Sequence, residues 1–382
     1  MFKKLFLTLF FLLIISDIYI YFLFIRKRTQ NKWLRGLWFL PSVLLLIGLI
    51  SFYVFKYEGA WGTLFIIYVA VIIPKLLFTV ISLLDIPLRY FFRWKIYPFT
   101  TIALVIAISA ACIILYGSIF GKTRIQVNKI DFISPSLPES FSGYKIAHIS
   151  DLHLGNWKNN RKFMTKVIDV LNRQNPDALM ITGDLVHHSA QELNNYEDIL
   201  AKINTRQIYS VLGNHDYGPY FQWESQEKEQ ENLKELKLRQ AKLGWYLLNN
   251  EHHFIVRGND SIAIIGVENA GKGHFADYSD LVNAMKGTEN ISFKILLSHD
   301  PSHWRSEVLQ TDINLTLSGH THGSQFSLGS FSFAALAYPE WGGLYMSEKQ
   351  GLYVNVGIGH VGIPFRFGAW PEITIITLKR GI

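Results

Sequence analysis

The sequence predicts an α/β domain with a central sheet system, preceded by four transmembrane helices. Apolar residues make up 49% of the 382 residues and are concentrated at the front of the chain, which is typical of a lipid-embedded segment. Beyond residue 143, short β-rich runs alternate with helical patterns, and that alternation favours an α/β fold. The predicted organisation is therefore a transmembrane region over 1–121, a stalk over 122–143 and a folded domain over 144–382.

Four hydrophobic runs near the N-terminus predict the membrane spans. They cover 5–25, 37–55, 62–84 and 98–120. Each has about 19 to 23 residues, enough for a helix to cross a hydrocarbon core of about 30 Å. A signal peptide is the alternative for the first run. The run is too long for that, has no A-x-A-like cleavage site and is followed by three more.

The basic residues of the loops predict the orientation of these helices. Loops one and three carry most of them: Arg26, Lys27, Arg28, Lys32, Arg35, Arg89, Arg93 and Lys95. The second loop has only Lys56. Because basic loops stay in the cytoplasm, we expect the C-terminal domain to lie outside the cytoplasmic membrane.

The net charge of +7 does not indicate a nucleic-acid partner. Residues 1–121 hold 12 Lys or Arg against 3 acids, whereas residues 122–382 hold 25 against 27. The basic excess therefore belongs to the membrane region, and the C-terminal domain lacks the positive surface that duplex binding requires.

Two ionisable residues, Asp17 and Lys75, fall inside predicted spans at similar depth. A lone charge there costs a few kcal/mol, so pairing is one remedy. Separate water-filled or snorkelling environments are the other, and the sequence leaves both open.

Eight runs beyond the stalk predict strands, several of them apolar on both faces. They are 145–149, 178–181, 207–212, 261–267, 293–297, 313–317, 352–356 and 373–378. Helices are predicted over 160–174 and 226–242, and the stalk has room for one strand.

Five of these strands run into loops that carry Asp, Asn or His. The loops read "HISDLHLG", "MITGDLV", "SVLGNHDYG", "LLSHDP" and "TLSGHTHGS". Each alone is more typical of a turn. Together, at strand ends that converge on one edge of a sheet, they indicate a site. Carboxylate, amide and imidazole donors suit two divalent metals.

This set of motifs resembles the calcineurin-like metallophosphoesterase superfamily, with its D-x-H, G-D, G-N-H-[DE], lone His and G-H-x-H pattern. The resemblance implies a sandwich of two mixed sheets flanked by helices. The closing "PFRFGAWPEITIITL" is similar to bacterial membrane-associated members, some exported and some hydrolysing UDP-2,3-diacylglucosamine. Ser324 replaces a glycine common in relatives, a difference expected to affect substrate fit rather than metal binding.

The resemblance also implies a role for each motif residue. One metal would be held by Asp151, His153 and His322, the other by Asn214, His299 and His320, with Asp184 bridging.

Two further residues complete the implied catalytic group. His215 would be the general acid, and Asp216 would either orient it or serve as a turn residue. Thr321 is expected to let His320 and His322 leave one strand end toward different ions.

Two residues outside the pattern are candidate substrate contacts: His187, by proximity to Asp184, and Arg366, as a phosphate ligand or else a structural ion pair.

The predicted function is a membrane-anchored phosphoesterase that cleaves a phosphomonoester or phosphodiester, such as a lipid-linked or envelope substrate. Hydroxide held by two divalent ions would attack the phosphorus; Mn, Fe, Zn and Mg all remain open. Two alternatives are UDP-2,3-diacylglucosamine pyrophosphatase and a non-catalytic membrane sensor. A transporter is disfavoured because the spans show no repeat. The expected location is a bacterial cytoplasmic membrane.

Overall fold

The computed structural model describes residues 2–55, 61–93, 96–157, 160–273 and 275–381. Lys56 and Lys95, which entered the loop charges above, lie outside these ranges. The chain divides into two compact units. A helical unit comprises Met1–Gly121 with Gly362–Phe367, and an α/β unit comprises Lys122–Val361 with Gly368–Ile382.

The described part of the helical unit contains six α-helices of six or more residues and a three-residue helical turn, Arg26–Arg28. The six helices are α1 Phe2–Ile20, α2 Lys32–Leu37, α3 Leu40–Phe55, α4 Trp61–Ser82, α5 Asp85–Phe92 and α6 Pro98–Ile119. A π-helical turn, Tyr21–Ile25, extends α1. Among the described residues, two segments are long and apolar enough to cross a membrane, Gly62–Phe92 and Pro98–Thr123.

Asp17 and Lys75 form an ion pair inside the helical unit. Lys75 Nζ lies 2.6 Å from Asp17 Oδ1 and 3.1 Å from Ser42 Oγ. The same ammonium lies 4.6 Å from the centre of the Trp38 ring. The pairing hypothesis is therefore confirmed, and the contact joins α1, α3 and α4 where an unpaired charge would be costly.

Two six-stranded sheets make up the α/β unit. The first has the order β1-β14-β2-β3-β4-β5 and the second β12-β13-β9-β8-β7-β6. The strands of the first sheet are β1 Gln126–Ser134, β2 Lys145–Ile149, β3 Ala178–Thr182, β4 Ile208–Val211, β5 Tyr246–Leu247 and β14 Glu372–Arg380. Those of the second are β6 Glu251–Arg257, β7 Asp260–Gly266, β8 Lys294–Leu297, β9 Leu315–Ser318, β12 Gly343–Ser347 and β13 Gln350–Val354. A short hairpin pairs β10 Ser327–Leu328 with β11 Phe331–Ser332.

Both sheets are mixed, as predicted. Strands β2 to β5 run parallel, and β14 pairs antiparallel with β2. In the second sheet β7, β8, β9 and β13 are parallel, with antiparallel strands at both edges. The central parallel strands are nearly continuous runs of apolar residues because both faces of these strands are buried.

The hydrophobic core lies between the sheets. Side chains from the first sheet, such as Ile146 and Met180, pack with Ile264, Ile295 and Leu317 of the second. Helices cover the outer faces: α7 Arg161–Asn172, α8 Glu197–Leu200 and α9 Gln226–Lys242 over the first sheet, and α10 Leu281–Met285 and α11 Ser302–Ser306 over the second. This is the predicted sandwich flanked by helices.

The segment predicted as a stalk belongs to the first sheet. Strand β1 pairs in parallel with β14 over nine residues, from Gln126 with Glu372 to Ser134 with Arg380. The pairing joins residues almost 250 positions apart, a contact that no local pattern in residues 122–143 reveals. The single strand predicted within the stalk is therefore an edge strand of the first sheet.

Candidate metal centre

All seven predicted metal ligands follow the carboxyl ends of parallel strands. Asp151 and His153 follow β2, Asp184 follows β3 and Asn214 follows β4, while His299 follows β8 and His320 and His322 follow β9. Because parallel strands end at a common edge, the loops meet there. These seven residues are called the metal centre below.

The donors proposed for one ion lie together. His153 Nε2 is 3.1 Å from His322 Nε2, and His322 Nε2 is 3.3 Å from Asp151 Oδ1. All three residues are buried. Donor atoms that share one tetrahedral ion at about 2.1 Å lie about 3 to 3.5 Å from each other. The third distance, from His153 Nε2 to Asp151 Oδ1, is slightly longer at 3.9 Å, so a small movement of these side chains would bring all three donors to one divalent ion.

The donors of the second set lie closer together. His320 Nδ1 lies 2.9 Å from Asn214 Oδ1 and 3.2 Å from His299 Nε2. The distance from His299 Nε2 to Asn214 Oδ1 is 3.1 Å. A second ion can therefore be held by one amide oxygen and two imidazole nitrogens.

Asp184 stands between the two sets. Its Oδ2 lies 3.5 Å from His153 Nε2 and 3.4 Å from His299 Nε2, one donor from each set. Its Oδ1 accepts a hydrogen bond from the amide of His215 at 2.9 Å. The carboxylate thus faces both sets from a fixed position, as a bridging ligand must.

The backbone at the ligands is held in an unusual conformation. Five of the seven have positive φ: Asp151 at 53°, His153 at 44°, Asp184 at 53°, His320 at 71° and His322 at 51°. Residues other than glycine adopt this left-handed region at a cost of about 1 to 3 kcal/mol each. Such conformations persist where the surrounding structure enforces them, and they concentrate at functional sites.

These turns correct the expected role of Thr321. Strand β9 ends at Ser318, so His320 and His322 are not alternate residues of a strand. They diverge because each sits in a left-handed turn. Thr321 instead anchors the loop, since its hydroxyl donates to Trp341 O at 2.6 Å.

Ser324 follows in the same loop with φ of 48°. A glycine is favoured in this conformation, so the residue that departs from the family pattern also carries backbone strain. Ser324 lines the cavity over the metal centre, where its side chain can affect substrate fit.

Two glycines permit the close approach of the loops. A Cβ on Gly319 would overlap Ser150 Oγ and Asp151 Oδ2, and one on Gly213 would overlap Asp184 Oδ1. Gly319 and Gly213 therefore provide more than a tight turn, because they leave space for the ligand carboxylates themselves.

Three buried carboxylates at the site have shifted pKa values. Burial raises the pKa of Asp151 to about 6, with the charge of Asp184 adding to the effect. Burial also raises the pKa of Asp216 to about 7. The pKa of Asp184 lies well below its usual value because His299 and His215 outweigh its burial. Protons therefore compete with metal at Asp151, and divalent cations would favour its ionised form.

His215 lies beside the metal centre, as predicted for the general acid. Its Nδ1 donates to the carbonyl oxygen of His187 at 2.9 Å, an assignment that follows because a carbonyl only accepts. The His215 ring stacks on His187 at 4.7 Å and lies 4.4 Å from the Tyr220 ring. Nε2 is thereby left for a substrate.

Asp216 does not orient His215. Its two oxygens accept from the amides of Val186 at 3.1 Å and Gly213 at 2.9 Å. Adjacent side chains in this turn point in different directions, so the carboxylate is used by backbone amides. Asp216 thus fits the turn-residue alternative, and the carbonyl of His187 is the partner of His215.

The two candidate substrate contacts have different surroundings. His187 Nδ1 lies 3.3 Å from His153 Nδ1, directly behind a metal ligand. Arg366 is fully buried, belongs to the helical unit and donates its amide to Gly117 O at 3.2 Å. Burial of the Arg366 side chain favours the structural alternative. The substrate role of His187 stays a prediction.

Three further residues at the site, Tyr338, Tyr220 and Glu192, lie outside the five sequence motifs. The Tyr338 hydroxyl lies 2.8 Å from His320 Nε2, and the Tyr220 hydroxyl accepts from Asn214 Nδ2 at 2.9 Å. Glu192 accepts from the amides of Gly155, His187 and His188. Partners of this kind orient ligands. Of these three residues, Glu192 has a sequence signal. The S-x-x-E pattern that begins at Ser189 is typical of a capping box, in which the Glu side chain accepts hydrogen bonds from backbone amides.

A cavity of about 390 Å³ opens over the metal centre. Its polar lining residues include Asp184, Asn214, His215, His320 and His322. Its apolar lining residues are Phe275, Phe333, Ala334, Ala337 and Val361. The cavity therefore offers charged groups and a hydrophobic wall to the same ligand.

Known families match both parts of the chain. The "Calcineurin-like phosphoesterase" family matches residues 144–324, and the four-helix "Probable Calcineurin-like phosphoesterase, transmembrane domain" family matches residues 3–122. The second match confirms the predicted transmembrane region.

Two relatives and one solved structure illustrate the similarity. "Uncharacterized metallophosphoesterase YkuE" of Bacillus subtilis is 30% identical over 69% of this chain and 89% of its own length. "Transmembrane protein with metallophosphoesterase domain" of Danio rerio is 32% identical over 74% of this chain, and the match spans 63% of that protein. A dimetal phosphatase structure from Danio rerio is 10% identical, with a TM-score of 0.37 over 57% of this chain and 88% of its own. The chain belongs to the calcineurin-like metallophosphoesterase family.

The Gly319→Ala variant tests the packing of the metal centre. Because the new Cβ would displace Ser150 and Asp151, we expect metal affinity to fall by at least about tenfold. Bound metal is measured by elemental analysis after dialysis against buffered metal. Gly36→Ala is the control, because Gly36, like Gly319, does not have positive φ but has open space around it. Equal metal retention in both variants would contradict the geometry.

Proposed function

We propose that this chain is a membrane-anchored, dinuclear metal-dependent phosphoesterase acting on a lipid-linked or envelope phosphoester. The observation that carries the proposal is the pairing of two donor sets across Asp184, below a cavity with a hydrophobic wall. Two divalent ions, when bound, supply positive charge that polarises and clamps a phosphoryl group. Mixed nitrogen and oxygen donors accept Mn, Fe, Zn or Mg.

The residues around the ions have separate tasks. Asp151, His153 and His322 would hold one ion, and Asn214, His299 and His320 the other, with Asp184 shared. His215 would donate a proton from Nε2 to the leaving-group oxygen, with its ring fixed by the carbonyl of His187. Tyr338 would steady His320 from the side opposite its donor atom.

An exposed apolar rim supports an amphiphilic substrate. The rim comprises Leu328, Phe331, Phe333 and Leu336, which are 54%, 50%, 54% and 86% exposed. Phe333 also lines the cavity over the metal centre. A contiguous apolar patch beside a charged site is a common mark of a ligand or membrane contact. Acyl chains are the ligand parts that such a rim would bind.

UDP-2,3-diacylglucosamine is a narrower candidate because it joins two acyl chains to a pyrophosphate. If the protein is not an enzyme, the alternative is a non-catalytic membrane sensor. Complete donor sets favour catalysis over this alternative.

The catalytic roles are tested with bis-p-nitrophenyl phosphate and an alkyl phosphodiester, each with Mn²⁺, Mg²⁺ or Zn²⁺. We expect Asp184→Ala to lose at least about 100-fold in kcat on both substrates. His215→Asn should lose about 100-fold on the alkyl ester but less than about tenfold on the nitrophenyl ester, whose leaving group needs no proton.

His252→Asn is the matched control, because His252 lies on β6 away from these donors. Activity indifferent to chelator or to Asp184→Ala would contradict the mechanism. An inactive protein with two bound ions on every substrate would favour the sensor.

The apolar rim is tested by Phe333→Ser and Leu336→Ser. Exposing a polar group where an acyl chain binds should raise KM about tenfold for a short-chain phosphatidic acid and leave p-nitrophenyl phosphate unchanged. Leu238→Ser is the control, because Leu238 lies on α9 and is as exposed as Phe333. Equal changes for both substrates would argue against a lipid substrate.

We also propose that the catalytic domain lies outside the cytoplasmic membrane, since basic residues concentrate in loops one and three. Alkaline phosphatase fused to the C-terminal residue should be active. GFP fused at the same position should not fluoresce. Fluorescent GFP with inactive phosphatase would place the domain in the cytoplasm, as the UDP-2,3-diacylglucosamine alternative requires.

A further inference from the structure

The helical unit contains a second large cavity, of about 960 Å³. The end of α1 and its extension, α5 and the start of α6 form its walls. We call it the basic cavity, after the three cations among its lining residues, Lys27, Arg28 and Arg89. None of the metal ligands lines it.

One face of the first helix supplies a polar end and an apolar wall. Tyr19, Leu23, Phe24, Lys27 and Arg28 follow each other at the spacing of a single helical face and all line the cavity. The π-helical turn Tyr21–Ile25 lies in the middle of this stretch. Such turns are rare and are frequently found at functional sites.

The cations of the basic cavity have no carboxylate partner in the described part of the chain. No described Asp or Glu oxygen forms an ion pair with Lys27, Arg28 or Arg89. The acid that lines the cavity, Asp85, is buried, and its oxygens accept from the amides of Phe99 and Thr100 at 3.1 and 2.7 Å. The Asp85 carboxylate therefore caps the N-terminus of α6. The three cations outnumber this one acid, so the lining of the cavity has a net positive charge.

The cavity is amphiphilic along its depth. The cations lie at the ends of hydrophobic helices, where lipid headgroups lie in a bilayer. Leu23, Phe24 and Ile86 provide an apolar wall, and the Arg89 guanidinium lies 4.5 Å from the centre of the Tyr97 ring. Basic pockets between transmembrane helices are known to take anionic headgroups.

We propose that the basic cavity binds an anionic phospholipid, with its headgroup phosphate against Lys27, Arg28 and Arg89 and an acyl chain along Leu23 and Phe24. Free phosphate has the same negative charge but no acyl chain to pack against Leu23 and Phe24. We therefore expect the lipid to be the occupant. The site is independent of the phosphoesterase reaction and needs no metal.

The test uses the full-length protein in an uncharged detergent, titrated with phosphatidylglycerol or phosphatidylcholine carrying identical acyl chains. Retained lipid is counted by native mass spectrometry, and thermal stability is followed in parallel. We expect phosphatidylglycerol to be retained and to raise Tm, and phosphatidylcholine or inorganic phosphate to do neither.

The variant Lys27→Gln/Arg28→Gln/Arg89→Gln should weaken phosphatidylglycerol binding at least about tenfold. Arg26→Gln/Lys32→Gln/Arg93→Gln removes the same charge from the same loops outside the cavity lining and should change binding less than about threefold. Arg89→Gln alone is used if the triple variant does not fold. Equal losses in cavity and control variants, equal retention of the two lipids, or stabilisation by phosphate alone would overturn the proposal.

Discussion

The metal centre depends on one constraint, the left-handed backbone at five of its seven ligands. Each such residue costs about 1 to 3 kcal/mol, and the sandwich enforces them by fixing the strand ends from which the loops leave. Gly213 and Gly319 complete the constraint, since their missing side chains leave space for Asp184 and Asp151. A rigid sheet edge and strained loops together bring donors from both sheets to the two sides of Asp184.

The same convergence explains the electrostatics. Asp151, Asp184 and Asp216 are all buried, and burial of carboxylates is costly unless cations or hydrogen bonds compensate. Asp216 is satisfied by backbone amides and so stabilises the turn that presents Asn214 and His215. Asp151 and Asp184 instead face imidazoles, where divalent ions would offset their charge. Asp216 thus supports the turn, whereas Asp151 and Asp184 are placed to act as the proposed metal ligands.

Much of this arrangement could be predicted from the sequence because its signals are local. Apolar runs that end in Asp, Asn or His marked the strands and the ligands, and helix α9 begins and ends where its charge pattern predicted. The depth of Asp17 and Lys75 indicated a pair that the structure confirms. Local patterns failed where the outcome depended on distant partners. Strand β1 is defined by its pairing with β14, and the orientation of Asp216 by two backbone amides. The position of Arg366 depends on a hydrogen bond to Gly117, almost 250 residues earlier.

The central claim is that Asp184 joins two metal ions. The most direct measurement is electron paramagnetic resonance of the full-length protein loaded with Mn²⁺, with anomalous diffraction to locate the ions. From the proposed role of Asp184 we predict a spin-coupled pair about 3.5 to 4 Å apart, with Asp184 between the two ions, and loss of the coupling in Asp184→Ala. A single ion, or two uncoupled ions with Asp184 bound to neither, would contradict it.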